Sequence, residues 1–126
     1  MGDLAYWPAA KPLSKKNTFA KNRDFIKNLD HIDQIWEKLK FKCGDTLAVC
    51  DLRGKYKEKF SYSEMADLIT KVSFSFKNYG LAKGDVVTVI SENSPRWLIA
   101  DQGLMRLGAI NAVRGINSPP VELEYI

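Results

Sequence analysis

The strongest constraint on the fold is the order of signals between residues 86 and 113. The run Val86-Val87-Thr88-Val89-Ile90 is apolar and mostly β-branched, as a strand covered on both faces would be. Ser94 then stands where a helix takes its N-terminal cap, and Pro95 fits the first helical position, where its missing amide costs nothing. Trp97, Ala100, Leu104 and Leu107 recur on one helical face, Gly103 permits close approach, and Gly108 can end the helix before a second apolar run at 110–113. Two strands joined by a helix of this length lie parallel, with a right-handed crossover. The expected class is therefore α/β, with helices covering a sheet and the 86–90 strand buried.

The elements before this unit are smaller. Ile32, Ile35, Trp36 and Leu39 define a short amphipathic helix, with Asp30 placed to cap it and Asp33 in its first turn. Residues 46–51 read as a strand, turning at 52–55 into a partner over 56–60, so a hairpin is expected. Ser61 and Glu64 have the spacing of a capping box, opening a helix whose inner face carries Met65, Leu68, Ile69, Val72, Phe76 and Tyr79. Gly80 supplies a left-handed end, and Lys83-Gly84-Asp85 turns the chain into the 86–90 strand. A last helix opens near Ser118-Pro119-Pro120, with Asn117 or Ser118 available as its cap, and the sequence stops within it. Such an ending leaves little face to dock, so an incomplete fold, truncated at 126, is expected.

A chain of 126 residues has room for one core. Its apolar runs are far shorter than the roughly 20 residues that cross a bilayer, and its start lacks the pattern of a secretory signal. Tyr6 stands where a myristoylation site needs Ser or Thr. A cytoplasmic protein is the expectation. Cys43 and Cys50 are too far apart for a redox pair and lack companions for a zinc site, so both read as plain thiols, Cys50 buried in a strand. Residues 1–42 hold nine Lys or Arg against five acids, which is the whole net charge of +4. This divides the chain into a basic extension, 1–29, and a globular part, 30–126. The extension has no recognised nucleic-acid reader motif, so no nucleic-acid partner is expected.

Chemistry-bearing residues are few. Ligands in open α/β sheets sit beyond the carboxyl ends of the strands, which selects Ser91-Glu92-Asn93 and Arg114-Gly115-Ile116-Asn117. Turn and cap roles account for the same residues. Gly103 and Gly108 begin with the spacing of a phosphate loop, but Ala109 and Ile110 replace its Lys and Ser/Thr, and the dinucleotide Gly pattern is absent. His31 has no companions for a triad and reads as a surface residue. Asp45, Asp51, Glu122 and Glu124 read as solvated charge.

The segments FSYSEM at 60–65, GLAKGDVV at 80–87, NSPRWLIADQG at 93–103, GAINAVRG at 108–115 and ELEYI at 122–126 closely resemble, in order and spacing, the start of AMP-forming acyl synthetases. Over residues 32–126 the chain looks most like the long-chain fatty acid ligases of cyanobacteria and plastids. The resemblance implies the N-terminal part of a large adenylate-forming domain. It also implies a two-step reaction: a fatty acid and ATP, with Mg2+, give acyl-adenylate, and CoA or acyl-carrier protein then takes the acyl group. The family's phosphate loop, adenine motifs and catalytic lysine have no counterpart here. No catalytic, cofactor-binding or metal residue is therefore assigned, and the 126 residues alone are expected to be inactive. An open sheet edge beside 110–113 makes self-association the expectation. The insoluble substrate class allows peripheral membrane contact. A second reading is a free-standing non-catalytic α/β module whose basic extension binds a partner or an anionic surface; salt-sensitive binding, lost on deleting residues 1–28, would distinguish it.

Overall fold

In a computed structural model of the chain, the structure describes residues 29–53 and 57–125. Nearly all of them belong to one compact unit, His31–Ile126. The basic extension, apart from its last residue, and residues 54 and 55 of the expected 52–55 turn lie outside the described residues.

A single 3-10 turn, Ile32–Gln34, leads into α1, Ile35–Cys43. His31, not Asp30, holds the capping position, with extended backbone and no side-chain cap bond, and Asp33 lies in the first turn as expected. The tighter turn moves the start of the α-helix three residues beyond Ile32, where the apolar periodicity begins. Strand β1, Leu47–Cys50, pairs antiparallel with β2, Lys59–Ser61, so the hairpin forms. Its register slips between Leu47 and Val49. Cys50 is exposed, against expectation: no described element covers the outer face of this two-stranded ribbon.

Helix α2, Tyr62–Asn78, opens with the capping box: the Glu64 amide donates to Ser61 Oγ at 3.2 Å and the Ser61 amide donates to the Glu64 carboxylate at 2.8 Å. The Ser61 amide, and after it the Ser61 hydroxyl, bond the charged form of Glu64 and hold its carboxyl below its ordinary value of 4.5. At the other end the Leu81 amide donates to Phe76 O and the Gly80 amide to Lys77 O, with Gly80 at φ +95°. This is the Schellman geometry that glycine permits without strain. Tyr79, expected on the inner face, is 88% exposed because the helix ends before it.

Strand β3, Val86–Val87, pairs parallel with β4, Ile110–Asn111, across α3, Pro95–Leu107. Ser94 Oγ caps α3 by accepting the Trp97 amide at 3.1 Å, and Gly108 ends it at φ +79°. The parallel strand-helix-strand unit is thus present, but its strand is not buried. Val86 is 62% and Ile110 55% exposed, since α3 covers one face and no described element covers the other. The two strand pairs form separate small sheets.

The core lies where α2 packs on α3. Met65, Ile69 and Ile99 form it, with Leu104 buried nearby and Trp36, Phe60 and Leu98 packed against its sides. Gly103 is buried at the crossing. A last turn, α4, Pro120–Leu123, begins from Pro119 with no side-chain cap, so neither Asn117 nor Ser118 performs that role.

Candidate functional site

The parallel pairing decides where the two loops go. The Ile110 amide donates to Asp85 O at 2.8 Å, the Ala112 amide to Val87 O at 2.9 Å and the Arg114 amide to Val89 O at 3.2 Å. Ile90 and Arg114 close the ladder as an isolated parallel bridge. Both chains therefore leave the sheet together and in the same direction. Residues 91–93 form one wall and residues 115–119 the other of an open groove of about 570 Å³, with Glu122 from α4 at its rim.

The structure thus brings together the stretches that the sequence selected, with one exception: Arg114 does not line the groove, and its guanidinium donates to the neighbouring Val113 carbonyl at 2.8 Å. Local bonds shape the walls. Ser91 Oγ donates to the Glu92 carbonyl at 3.0 Å, and the Ser118 amide donates to Gly115 O at 3.1 Å. The lining offers hydroxyl and amide groups and two carboxylates, Glu92 and Glu122, with no lysine or arginine. A polyphosphate would meet repulsion there rather than the cations or backbone-amide cradle it needs. The residues present do not fit ATP by themselves, and among the described residues no group of three His, Cys, Asp or Glu could hold a metal ion. His31 is exposed, as the sequence suggested.

Behind the groove lies a polar relay that periodicity did not reveal. Trp36 Nε1 donates to Gln102 Oε1 at 2.8 Å, Gln102 Nε2 donates to one Asp101 oxygen at 2.9 Å, and Asn111 Nδ2 donates to the other at 2.9 Å. It ties α1 to α3 and α3 to β4, three residues before the 114–117 loop. Asn111 Oδ1 is buried and accepts no bond among the described residues. The available signal was the adjacent pair Asp101-Gln102 inside an otherwise apolar helix face.

A strand-helix-strand unit with paired loops at its carboxyl end, preceded by a hairpin and packed helices, is the architecture of the N-terminal region of adenylate-forming enzymes. The N-terminal subdomain of Klebsiella oxytoca NpsA, solved in complex with anthranilyl-AMSN, superposes with a TM-score of 0.68 at 26% identity, over 77% of this chain and 24% of that one. The AMP-binding enzyme family matches residues 36–126, and the chain belongs to it. The chloroplastic long-chain-fatty-acid–[acyl-carrier-protein] ligase of Arabidopsis thaliana is 32% identical over 95 residues, 75% of this chain. The crotonobetaine/carnitine–CoA ligase of Escherichia fergusonii is 31% identical over 81 residues, 64% of this chain. The chain spans 13% of the plant relative's length and 16% of the bacterial one's. It corresponds to the N-terminal portion of an adenylate-forming ligase.

Proposed function

We propose that this chain is the opening segment of an AMP-forming long-chain fatty acid ligase, which activates a fatty acid with ATP and Mg2+ and passes the acyl group to CoA or acyl-carrier protein. The supporting observation is the specific run at 93–103 and 108–115, together with the identity to the plant carrier-protein ligase. A carboxylate accepts a thiol only after its oxygen becomes part of a good leaving group, and the adenylate provides one; the protein contributes positioning and charge stabilisation. In this reading the residues described here supply scaffold. The α2–α3 core holds the parallel pair, and the pair delivers the two groove loops to one place. ATP is held by residues outside this chain, consistent with the carboxylate-lined groove. The setting is cytoplasmic, with peripheral membrane contact where the substrate is insoluble.

The test is ATP–pyrophosphate exchange. The polypeptide carrying this segment, isolated from its own cell with an antibody against it, exchanges in the presence of long-chain fatty acids. The isolated 126 residues show none. Exchange driven only by short, aromatic or quaternary-ammonium acids would overturn the substrate class. Exchange by the isolated chain above a heat-killed control would overturn the assignment of ATP to residues elsewhere.

A further inference from the structure

Helix α1 is attached differently from its neighbours. Met65 and Ile69 of α2 and Ile99 and Leu104 of α3 are buried, whereas no residue of α1 is. The side that α1 turns toward α2 and α3 carries Trp36, Glu37 and Lys40, one helical turn apart, and two of the three are charged. A helix docked by apolar burial carries hydrophobic residues along that stripe. Here Lys40 Nζ donates to Asp67 of α2 at 2.5 Å, Arg106 of α3 pairs with Glu37 at 3.4 Å, and Trp36 Nε1 donates to Gln102 of α3 at 2.8 Å. The side chains of Lys40, Glu37 and Asp67 are 38%, 48% and 55% exposed. Ion pairs this wet hold weakly and are screened by salt. The backbone anchors α1 just past its C-terminal end, where the Ser63 amide donates to Gly44 O at 2.9 Å.

We propose that α1 is a charge-latched strap, which swings about Gly44 while the α2–α3 core stays folded, and whose release loosens β4 and the groove wall at 115–119. Local opening of this kind belongs to elements with few buried apolar contacts. The latch contacts all lie on the inner side of α1, so they hold the strap whatever lies against its outer side. The coupling runs through the polar relay, of which Trp36 is the outer end. When α1 leaves, Gln102 loses the donor to its carbonyl and is free to turn its amide from Asp101 to water. Asp101 is then held less firmly beneath Asn111. Asn111 Oδ1 has no partner among the described residues, so the bond to Asp101 is what ties this side chain to α3. Strand β4 is two residues long in a two-stranded sheet, and has little else to keep it in place.

The experiment is hydrogen–deuterium exchange, read by mass spectrometry on the intact polypeptide that carries this segment. Amides of residues 35–43 are expected to exchange about tenfold faster than those of 62–78 at about 50 mM salt, and about threefold faster again at about 500 mM, with 62–78 unchanged. Glu37→Ala with Lys40→Ala gives the fast rate already at low salt and removes the salt response. Alanine favours the helix, so that acceleration reports undocking and not fraying. Residues 108–119 exchange about threefold faster in the same variant. They do so also in Trp36→Phe, which keeps both ion pairs and with them the salt response of 35–43. Lys40→Arg stays within about twofold of the parent pattern. An unchanged rate for 62–78 verifies that each variant keeps its core. One common, salt-independent rate for 35–43 and 62–78 would overturn the strap, whether the core or another part of the polypeptide pins α1. Acceleration of 35–43 that leaves 108–119 unchanged would overturn the coupling to the groove.

Discussion

Gly103 of α3 approaches Val72 of α2 so closely that a β-carbon on Gly103 would come within 2.9 Å of Val72 Cγ1 and 3.4 Å of the Ser73 amide nitrogen. Glycine in a helix interior costs about 1 kcal/mol relative to alanine, so its presence here marks a contact that outweighs propensity. The α2–α3 crossing is where the core is built, and a stiff β-branched side chain meets the glycine there.

Replacing Gly103→Ala is expected to destabilise the fold by about 1 to 2 kcal/mol despite the gain in helix propensity, because the added carbon forces Val72 or the backbone to move. Val72→Ala opens the space. In urea denaturation the double variant should therefore lose less than the sum of the two single losses; strict additivity would show that the two residues do not press on each other.

The capping box gives a second test. Ser61→Ala removes the hydroxyl that accepts the Glu64 amide and is expected to cost about 1 kcal/mol. Glu64 titrates below 4.5 because the Ser61 amide and hydroxyl bond its charged form. A depressed folded value means that its contribution is complete above about pH 4.5 and is lost as pH falls through the lower, folded value. Glu64→Gln should therefore flatten the stability profile below pH 4.5. An unchanged acid limb would contradict this linkage.

Asp101 accepts from both Gln102 and Asn111. Asp101→Ala leaves two part-buried amide groups without their charged acceptor, and a loss of about 2 to 3 kcal/mol is expected in chemical denaturation. Trp36→Phe removes the indole donor and part of the ring that packs beside the core, and should cost about 1 to 2 kcal/mol. A smaller effect for Asp101→Ala than for Trp36→Phe would mean that the relay is not centred on the carboxylate.

Among the described residues the two-stranded parallel sheet has open edges, and Ile110 and Val113 are exposed beside one of them. Such an edge is a template for another strand. Sedimentation velocity is expected to show concentration-dependent association, reduced by Val113→Lys. A monomer at every concentration would count against it.

Much of this fold was legible locally. The Ser61/Glu64 box, the Ser94-Pro95 start and the Gly80 and Gly108 ends rest on interactions between residues a few positions apart, and the hairpin on two strands that follow one another in the chain, so their signals lie in nearby sequence. The groove stretches at 91–93 and 115–117 were also reachable, because the parallel crossover dictates that loops at the carboxyl ends emerge together. Errors arose where the answer depended on what stands opposite. Cys50, Val86 and Tyr79 have the composition of covered residues, but their coverage depends on elements distant in sequence or on a helix ending one residue early.

The sequence by itself determined the order of elements, the helix ends at Ser61, Gly80, Ser94 and Gly108, and the family, since each is encoded in short runs of residue types with a local physical consequence. Tertiary structure decided the rest. It chose Ile99 and Gly103 for the helix crossing, joined Trp36, Gln102, Asp101 and Asn111 across three elements, and brought the two loops into one groove whose charge opposes a polyphosphate. Those outcomes depend on distances between residues tens of positions apart, which are set when apolar faces pack and which periodicity within a single element does not contain.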